Sequence, residues 1–174
     1  LGYLGKIIRR SLPIGADGAM MDLFALTPAQ TQQLRPQLVM PDAQVSGERA
    51  ALARGILGAM SLTEGFARLV LLVGHGSQSA NNPHAAGLDC GACCGQTGEV
   101  NARTLAGLLN DAVVRKALGE KSILIPDTTY FLAALHNTTT DEVVIFDRKI
   151  VPASHEGDLA QLERFLSAAG ERAR

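Results

Sequence analysis

Four side chains in one short stretch could do chemistry together: His75 in Gly74-His75-Gly76-Ser77, and Asp89, Cys90 and Cys93 in Asp89-Cys90-Gly91-Ala92-Cys93-Cys94. Imidazole and thiolate are the nitrogen and sulfur donors that a borderline-soft d10 ion such as zinc favours in tetrahedral sites. Cys90 and Cys93 have the C-x2-C spacing of zinc knuckles and of redox pairs. One such pair is not a complete structural site, and the chain holds only three cysteines. The metal signal that the residues themselves carry is the combination of His75, Asp89 and Cys90 in one glycine-rich loop. Ser77 and Asp89 could support a ligand by hydrogen bonding, and Cys93 is a possible substitute ligand.

Other readings compete with these. His75 could be a loop histidine bonded only to backbone, or Gly-His-Gly-Ser after a strand could cradle an anion on its amides. Cys93 and Cys94 could be small buried hydrophobes, the reading preferred for Cys94. His84, in Asn82-Pro83-His84, reads as part of a surface turn. Three cysteines within five positions make a poor disulfide framework. In a chain with no export signal they point to a reducing compartment, the cytoplasm.

Positioning these residues requires a rigid frame. Leu69-Val70-Leu71-Leu72-Val73 is a continuous apolar run that stops at Gly74, the pattern of a strand buried on both faces. His75 would then lie two residues beyond its carboxyl end, where open α/β sheets bind ligands, with Gly74 and Gly76 leaving room around it. Residues 74–98 show no periodicity. Ser46 starts a helix through Met60 with Leu52, Ile56 and Met60 on one face, and Asn101 caps a helix through about Leu118, ending at Gly119. Ile123–Ile125, Phe131–Leu135 and Val143–Phe146 are further strand candidates. Ser154 opens a last helix with Leu159, Leu162, Phe165 and Leu166 on one side.

Strands alternating with helices predict an α/β fold with a mostly parallel sheet flanked by helices. The whole chain, 1–174, reads as a single domain: an irregular or helical lead-in over 1–45, including a short amphipathic helix before Pro13, and a core over 46–174. It begins with Leu1, which suggests processing or excision from a longer protein. With 16 basic and 17 acidic residues and no large basic cluster, it lacks the footprint of a nucleic-acid binder. Its longest apolar run is far short of the roughly 20 residues that span a bilayer.

Several motifs together carry a resemblance. Leu72-Val73-Gly74-His75-Gly76-Ser77, Asn81-Asn82-Pro83, Gly87-Leu88-Asp89-Cys90-Gly91-Ala92-Cys93, Asn101-Ala102-Arg103, Ile125-Pro126-Asp127-Thr128 and Leu135-His136-Asn137-Thr138-Thr139-Thr140-Asp141 resemble the DabA family. That family is the large zinc-containing subunit of a bacterial inorganic-carbon accumulation complex. It is similar to β-carbonic anhydrases, whose zinc is surrounded by two cysteines, a histidine and an aspartate. Carried over by position, the resemblance places the later His and Cys ligands on His75 and Cys90, whose separation of 15 residues matches the family's arrangement.

The family's earlier Cys-x-Asp motif has no counterpart, because no cysteine precedes Cys90. The resemblance therefore implies an incomplete Zn2+ site in the C-terminal part of a β-carbonic-anhydrase-like core, inactive by itself. It assigns no catalytic residue beyond the ligands. For the whole protein it implies hydration of CO2 to bicarbonate and a membrane partner of DabB type that resembles proton-translocating antiporters. It also implies a peripheral location on the cytoplasmic face of the inner membrane. Gly-His-Gly-Ser after a strand also looks like the sirohydrochlorin-type metal chelatases, and a non-catalytic assembly domain is the third reading.

Overall fold

The computed structural model describes residues 46–79 and 82–173. Expectations for 1–45, the lead-in helix among them, fall outside the described residues, as does the Asn81 part of the Asn-Asn-Pro turn. The elements are α1 (Ser46–Ala59), β1 (Leu69–Gly76), α2 (Glu99–Asn110), α3 (Ala112–Gly119), β2 (Tyr130–Asn137), β3 (Glu142–Ile145) and α4 (Glu156–Ala173), with short 3-10 turns between. The strands form one open sheet in the order β1-β2-β3. β1 and β2 run parallel from Leu69↔Tyr130 to Gly76↔Asn137, and β3 returns antiparallel from Ala134↔Ile145 to Asn137↔Glu142. The fold is thus α/β with flanking helices; the sheet is mixed, with the longer ladder parallel.

The strand buried on both faces is β2. Phe131, Leu132, Ala133, Ala134 and Leu135 are all buried, as the middle of three strands should be. β1 was expected to have this role, but only Leu72 and Gly76 are buried along it, and Val73 is 50% exposed. The physical reason is position: among the described residues β1 has a neighbour on one side only. The strand also runs to Gly76, so His75 lies within the ladder rather than beyond it. Core side chains come from Ala53 and Leu57 of α1, Leu105, Leu108 and Leu109 of α2, Val114 and Leu118 of α3, Phe131 and Leu135 of β2, and Phe146.

The helix expected over 101–118 is two helices. Asp111 breaks it with an extended backbone and caps α3, its Oδ1 accepting from the Val113 N–H at 2.8 Å and the Val114 N–H at 3.2 Å. Arg49 on α1 donates to its other oxygen at 2.7 Å. Asn101 is not a cap; Gly98 holds that position and Asn101 sits in the first turn of α2. Ile123–Ile125 is not a strand. The Ile123 N–H returns to the Leu118 carbonyl at 3.0 Å and its side chain enters the core, closing α3, while Leu124 is 75% exposed. On α4, Leu159 is buried and Leu162 and Leu166 half-buried, but Phe165 projects into solvent.

The sheet meets α2 at a glycine crossing. A Cβ on Gly74 would lie 2.5 Å from the Gly98 carbonyl oxygen, and one on Gly98 would lie 2.8 Å from the Gly74 Cα. A Cβ on Gly76 would meet Thr97 at 2.9 Å. The two glycines flanking His75 therefore do not leave open room, as their spacing suggested; Thr97 and Gly98 fill it. That approach lets the Gly98 N–H donate to the His75 carbonyl at 2.8 Å.

Two outcomes follow for stability. Gly74→Ala must push backbone against backbone and should cost about 1–3 kcal/mol, whereas Gly107→Ala, exposed inside α2 with open space at its Cβ, should gain about 0.5–1 kcal/mol; urea unfolding compares them. Partial burial pushes the Asp111 carboxyl up, but the Val114 and Val113 amides and Arg49 outweigh it and hold it below its ordinary value. Its contribution is thus present above the unfolded-state pKa and lost as pH falls through the lower folded one. Asp111→Ala should cost about 0.5–2 kcal/mol near neutrality, a difference that shrinks below about pH 4.

Candidate metal centre

The carboxyl ends of β1 and β2 lie side by side, with His75 in register with His136 and Gly76 with Asn137. The segment 136–141 pins this end. The Thr138 N–H and hydroxyl both donate to the Gly76 carbonyl, at 2.8 and 3.1 Å, and the Gln78 N–H donates to Thr139 Oγ1 at 3.0 Å. Asn137, buried, donates through Nδ2 to Gln78 Oε1 at 3.2 Å. His136 Nε2 lies 3.2 Å from Asp141 Oδ1.

Residues 85–98 then fold back over the strand end. Asp89 is the tie: its Oδ1 accepts from the Ser77 N–H at 2.7 Å and from the Ser77 hydroxyl at 3.1 Å. The Ser77 amide thus binds a carboxylate of the protein itself, where a free anion had been one expectation. Next to Asp89, the Cys90 N–H donates to the Gln96 carbonyl at 3.0 Å, and the Cys90 carbonyl accepts from the Cys93 N–H at 3.0 Å and the Gly95 N–H at 3.1 Å. Cys94 (φ 56°) and Gly95 (φ 75°) occupy the left-handed region and turn the chain back. His84 is exposed in a turn, as its context predicts, its N–H donating to Asn82 Oδ1 at 2.9 Å.

This folding gives a cavity of about 560 Å³ with one chemical wall and one apolar wall. His75, Cys90, Cys93 and Asn101 form the first; Leu52, Ile56 and Met60 of α1 and Leu105 and Leu108 of α2 form the second. The face of α1 that carries Leu52, Ile56 and Met60 thus fronts the cavity, while Ala50, Ala53 and Leu57 face the core. The His75 ring makes no hydrogen bond among the described residues, and the residue lies in β1 rather than in a loop. The neighbouring Cys93 thiol lowers the pKa of Cys90 from its ordinary value, and Cys90 in turn raises that of Cys93. Asn101 Nδ2 donates to Cys93 Sγ at 3.2 Å.

Neither Cys93 nor Cys94 is a small buried hydrophobe: Cys93 is half-buried and Cys94 exposed. The role of Asn101 was not legible, because a residue read as a helix cap here reaches sideways to a thiol. The donor types on the chemical wall suit zinc. Yet among the described residues no three His, Cys, Asp or Glu side chains converge closely enough to hold a metal ion. His75, Cys90 and Cys93 share the cavity without forming a three-donor set, so a catalytic site of the usual three protein ligands needs a donor from elsewhere.

The Asp89 tie can be tested directly. Asp89→Ala removes both Ser77 bonds and should cost about 1–2 kcal/mol. Hydrogen exchange at the Ser77 amide should rise well above the global effect, and unchanged protection there would show that the loop is held by other means.

A family model described as "Probable inorganic carbon transporter subunit DabA" matches residues 1–174. A protein of that name from Vibrio cholerae serotype O1 (strain M66-2) is 52% identical over 174 residues, which is 100% of this chain and 20% of the relative. One from Chloroflexus aurantiacus (strain ATCC 29366 / DSM 635 / J-10-fl) is 50% identical over 181 residues, 100% of this chain and 22% of the relative. One from Acidithiobacillus ferrooxidans (strain ATCC 53993 / BNL-5-31) is 52% identical over 152 residues, 82% and 18% of the two chains. No solved structure matches. The chain spans about a fifth of the length of the first of these relatives. With the family model matched from end to end, the chain belongs to the DabA family.

Proposed function

We propose that this chain forms part of a zinc-dependent subunit that hydrates CO2 to bicarbonate within an energy-coupled inorganic-carbon uptake complex. The observation that carries the reading is that His75 and Cys90 line a single cavity together with apolar side chains of α1 and α2. The relatives' printed name supports inorganic-carbon transport and, by the word subunit, a partner. The motif that suggested a chelatase, Gly-His-Gly-Ser, occurs here in a DabA-family chain.

In this reading His75 and Cys90 are two zinc ligands, and the remaining donor comes from the rest of the full-length protein. Zinc bound there supplies Lewis acidity, which makes water a competent nucleophile near neutral pH. Asp89, through Ser77, fixes the loop that carries Cys90 against the strand that carries His75. Leu52, Ile56 and Leu105 give carbon dioxide an apolar approach. Hydration yields bicarbonate and one proton, whose removal links the reaction to an antiporter-like membrane partner of DabB type. No helix among the described residues is long and apolar enough to cross a membrane, which accords with a peripheral subunit on the cytoplasmic face of the inner membrane.

Metal analysis of the full-length protein after a chelator wash tests the assignment. His75→Ala and Cys90→Ala should each lose stoichiometric zinc and carbon-dependent growth, while Cys94→Ser should keep both. Full zinc in the two alanine variants would remove the reading.

A further inference from the structure

We infer that Cys90 and Cys93 form a reversible intramolecular disulfide, so that the same pair of sulfurs that fronts the candidate metal centre is an oxidation site. The inference stands on geometry rather than on the C-x2-C spacing alone. Cys90 precedes the 3-10 turn Gly91–Cys93, and the turn is closed by the Cys93 N–H donating to the Cys90 carbonyl at 3.0 Å. Such a turn brings the first and fourth Cα atoms to within about 7 Å, and disulfides bridge Cα atoms roughly 4.4–6.8 Å apart. Both cysteines line the same cavity and neither is fully buried, so a small oxidant reaches them.

The third cysteine is directed elsewhere. Cys94 follows the turn in a left-handed conformation (φ 56°), is exposed, and does not line the cavity. Pairing Cys93 with Cys94 would close a ring across a single peptide bond, against a backbone already set in that conformation. Asn101 Nδ2, donating to Cys93 Sγ, holds that sulfur on the cavity side.

The reaction balances with a low-molecular-weight disulfide such as glutathione disulfide. One cysteine thiolate attacks it, forming a mixed disulfide and releasing one glutathione thiol; the second cysteine attacks the mixed disulfide and releases the other. The protein loses two electrons and two protons, and the glutathione disulfide gains both. A Cys90 sulfur held in the bridge has no thiolate to offer a metal, so oxidation and metal binding exclude each other. This last step rests on the zinc reading; the bridge itself does not.

The test uses metal-free full-length protein exposed to glutathione disulfide, then alkylated and digested with trypsin. Residues 69–103 emerge as one peptide carrying Cys90, Cys93 and Cys94 and no internal Lys or Arg. The expected peptide carries a bridge between Cys90 and Cys93, with Cys94 alkylated or glutathionylated, and offers three alkylatable thiols after dithiothreitol. Cys94→Ser should leave the bridge intact, and Cys93→Ser should leave Cys90 as a stable glutathione adduct. Three free thiols, glutathione adducts on wild-type Cys90 and Cys93, or a bridge that includes Cys94 would overturn the inference. Repeating the oxidation on zinc-loaded protein separates the two readings. Protection supports the mutual exclusion, whereas undiminished bridging keeps the disulfide and removes Cys90 as a ligand.

Discussion

Most of the arrangement depends on one contact, the backbone crossing of Gly74 and Gly98. At that distance neither residue tolerates a side chain, and the reward is a hydrogen bond from the start of α2 to the His75 carbonyl. The contact sets how close α2 lies to β1, and hence where Leu105 and Leu108 meet the sheet. It also anchors the far end of the 85–98 segment, whose near end is tied by Asp89 to Ser77. With both ends fixed beside His75, Cys90 and Cys93 line the cavity while staying partly exposed. A hydrogen bond of ordinary strength thus governs the site because steric exclusion leaves the backbone few alternatives.

That His75 and Cys90 would lie near one another was legible in the sequence, and the reason is local. His75, Asp89 and Cys90 lie in short motifs; His75 and Cys90 line one cavity, while Asp89 ties the loop to Ser77. Helix α1, the strand run at Leu69 and the strands over Phe131–Leu135 and Val143–Phe146 were legible through apolar patterning. What patterning could not reveal was sharing between distant segments. It marked Leu69–Val73 as doubly buried, although burial depends on how many strands lie beside it. It read Asn101 as a cap, although Gly98 takes that place because of the crossing with Gly74.

Two other differences have chemical causes. Asp111 sits in a stretch of continuous helical pattern, yet its carboxylate accepts two amide protons and an Arg49 guanidinium by leaving the helix, which compensates for the break. Ile123–Ile125 has strand composition but follows a helix end, where one apolar side chain returning to the core closes the turn. Each competing use offered the backbone better satisfaction than the element its composition suggested. The same accounting explains why Asn110 reaches β2, exchanging hydrogen bonds with the Phe131 N–H and carbonyl at 3.0 and 2.8 Å.

The parallel pairing of β1 with β2 has a kinetic consequence. Leu69 cannot find Tyr130 until the 3-10 turns and both helices α2 and α3 between them have been gathered into a crossover. Loop closure on that scale is paid in chain entropy before any ladder bond forms, so non-local pairings of this kind slow folding. The antiparallel return of β3 onto β2, across Thr138–Asp141, is local and can form early. By that topology the β1–β2 pairing is the costlier of the two closures, and the surface that bears His75 and Cys90 depends on it. A chain that has formed only the hairpin therefore lacks the cavity altogether, because His75 and Cys90 come together only when the whole crossover has closed.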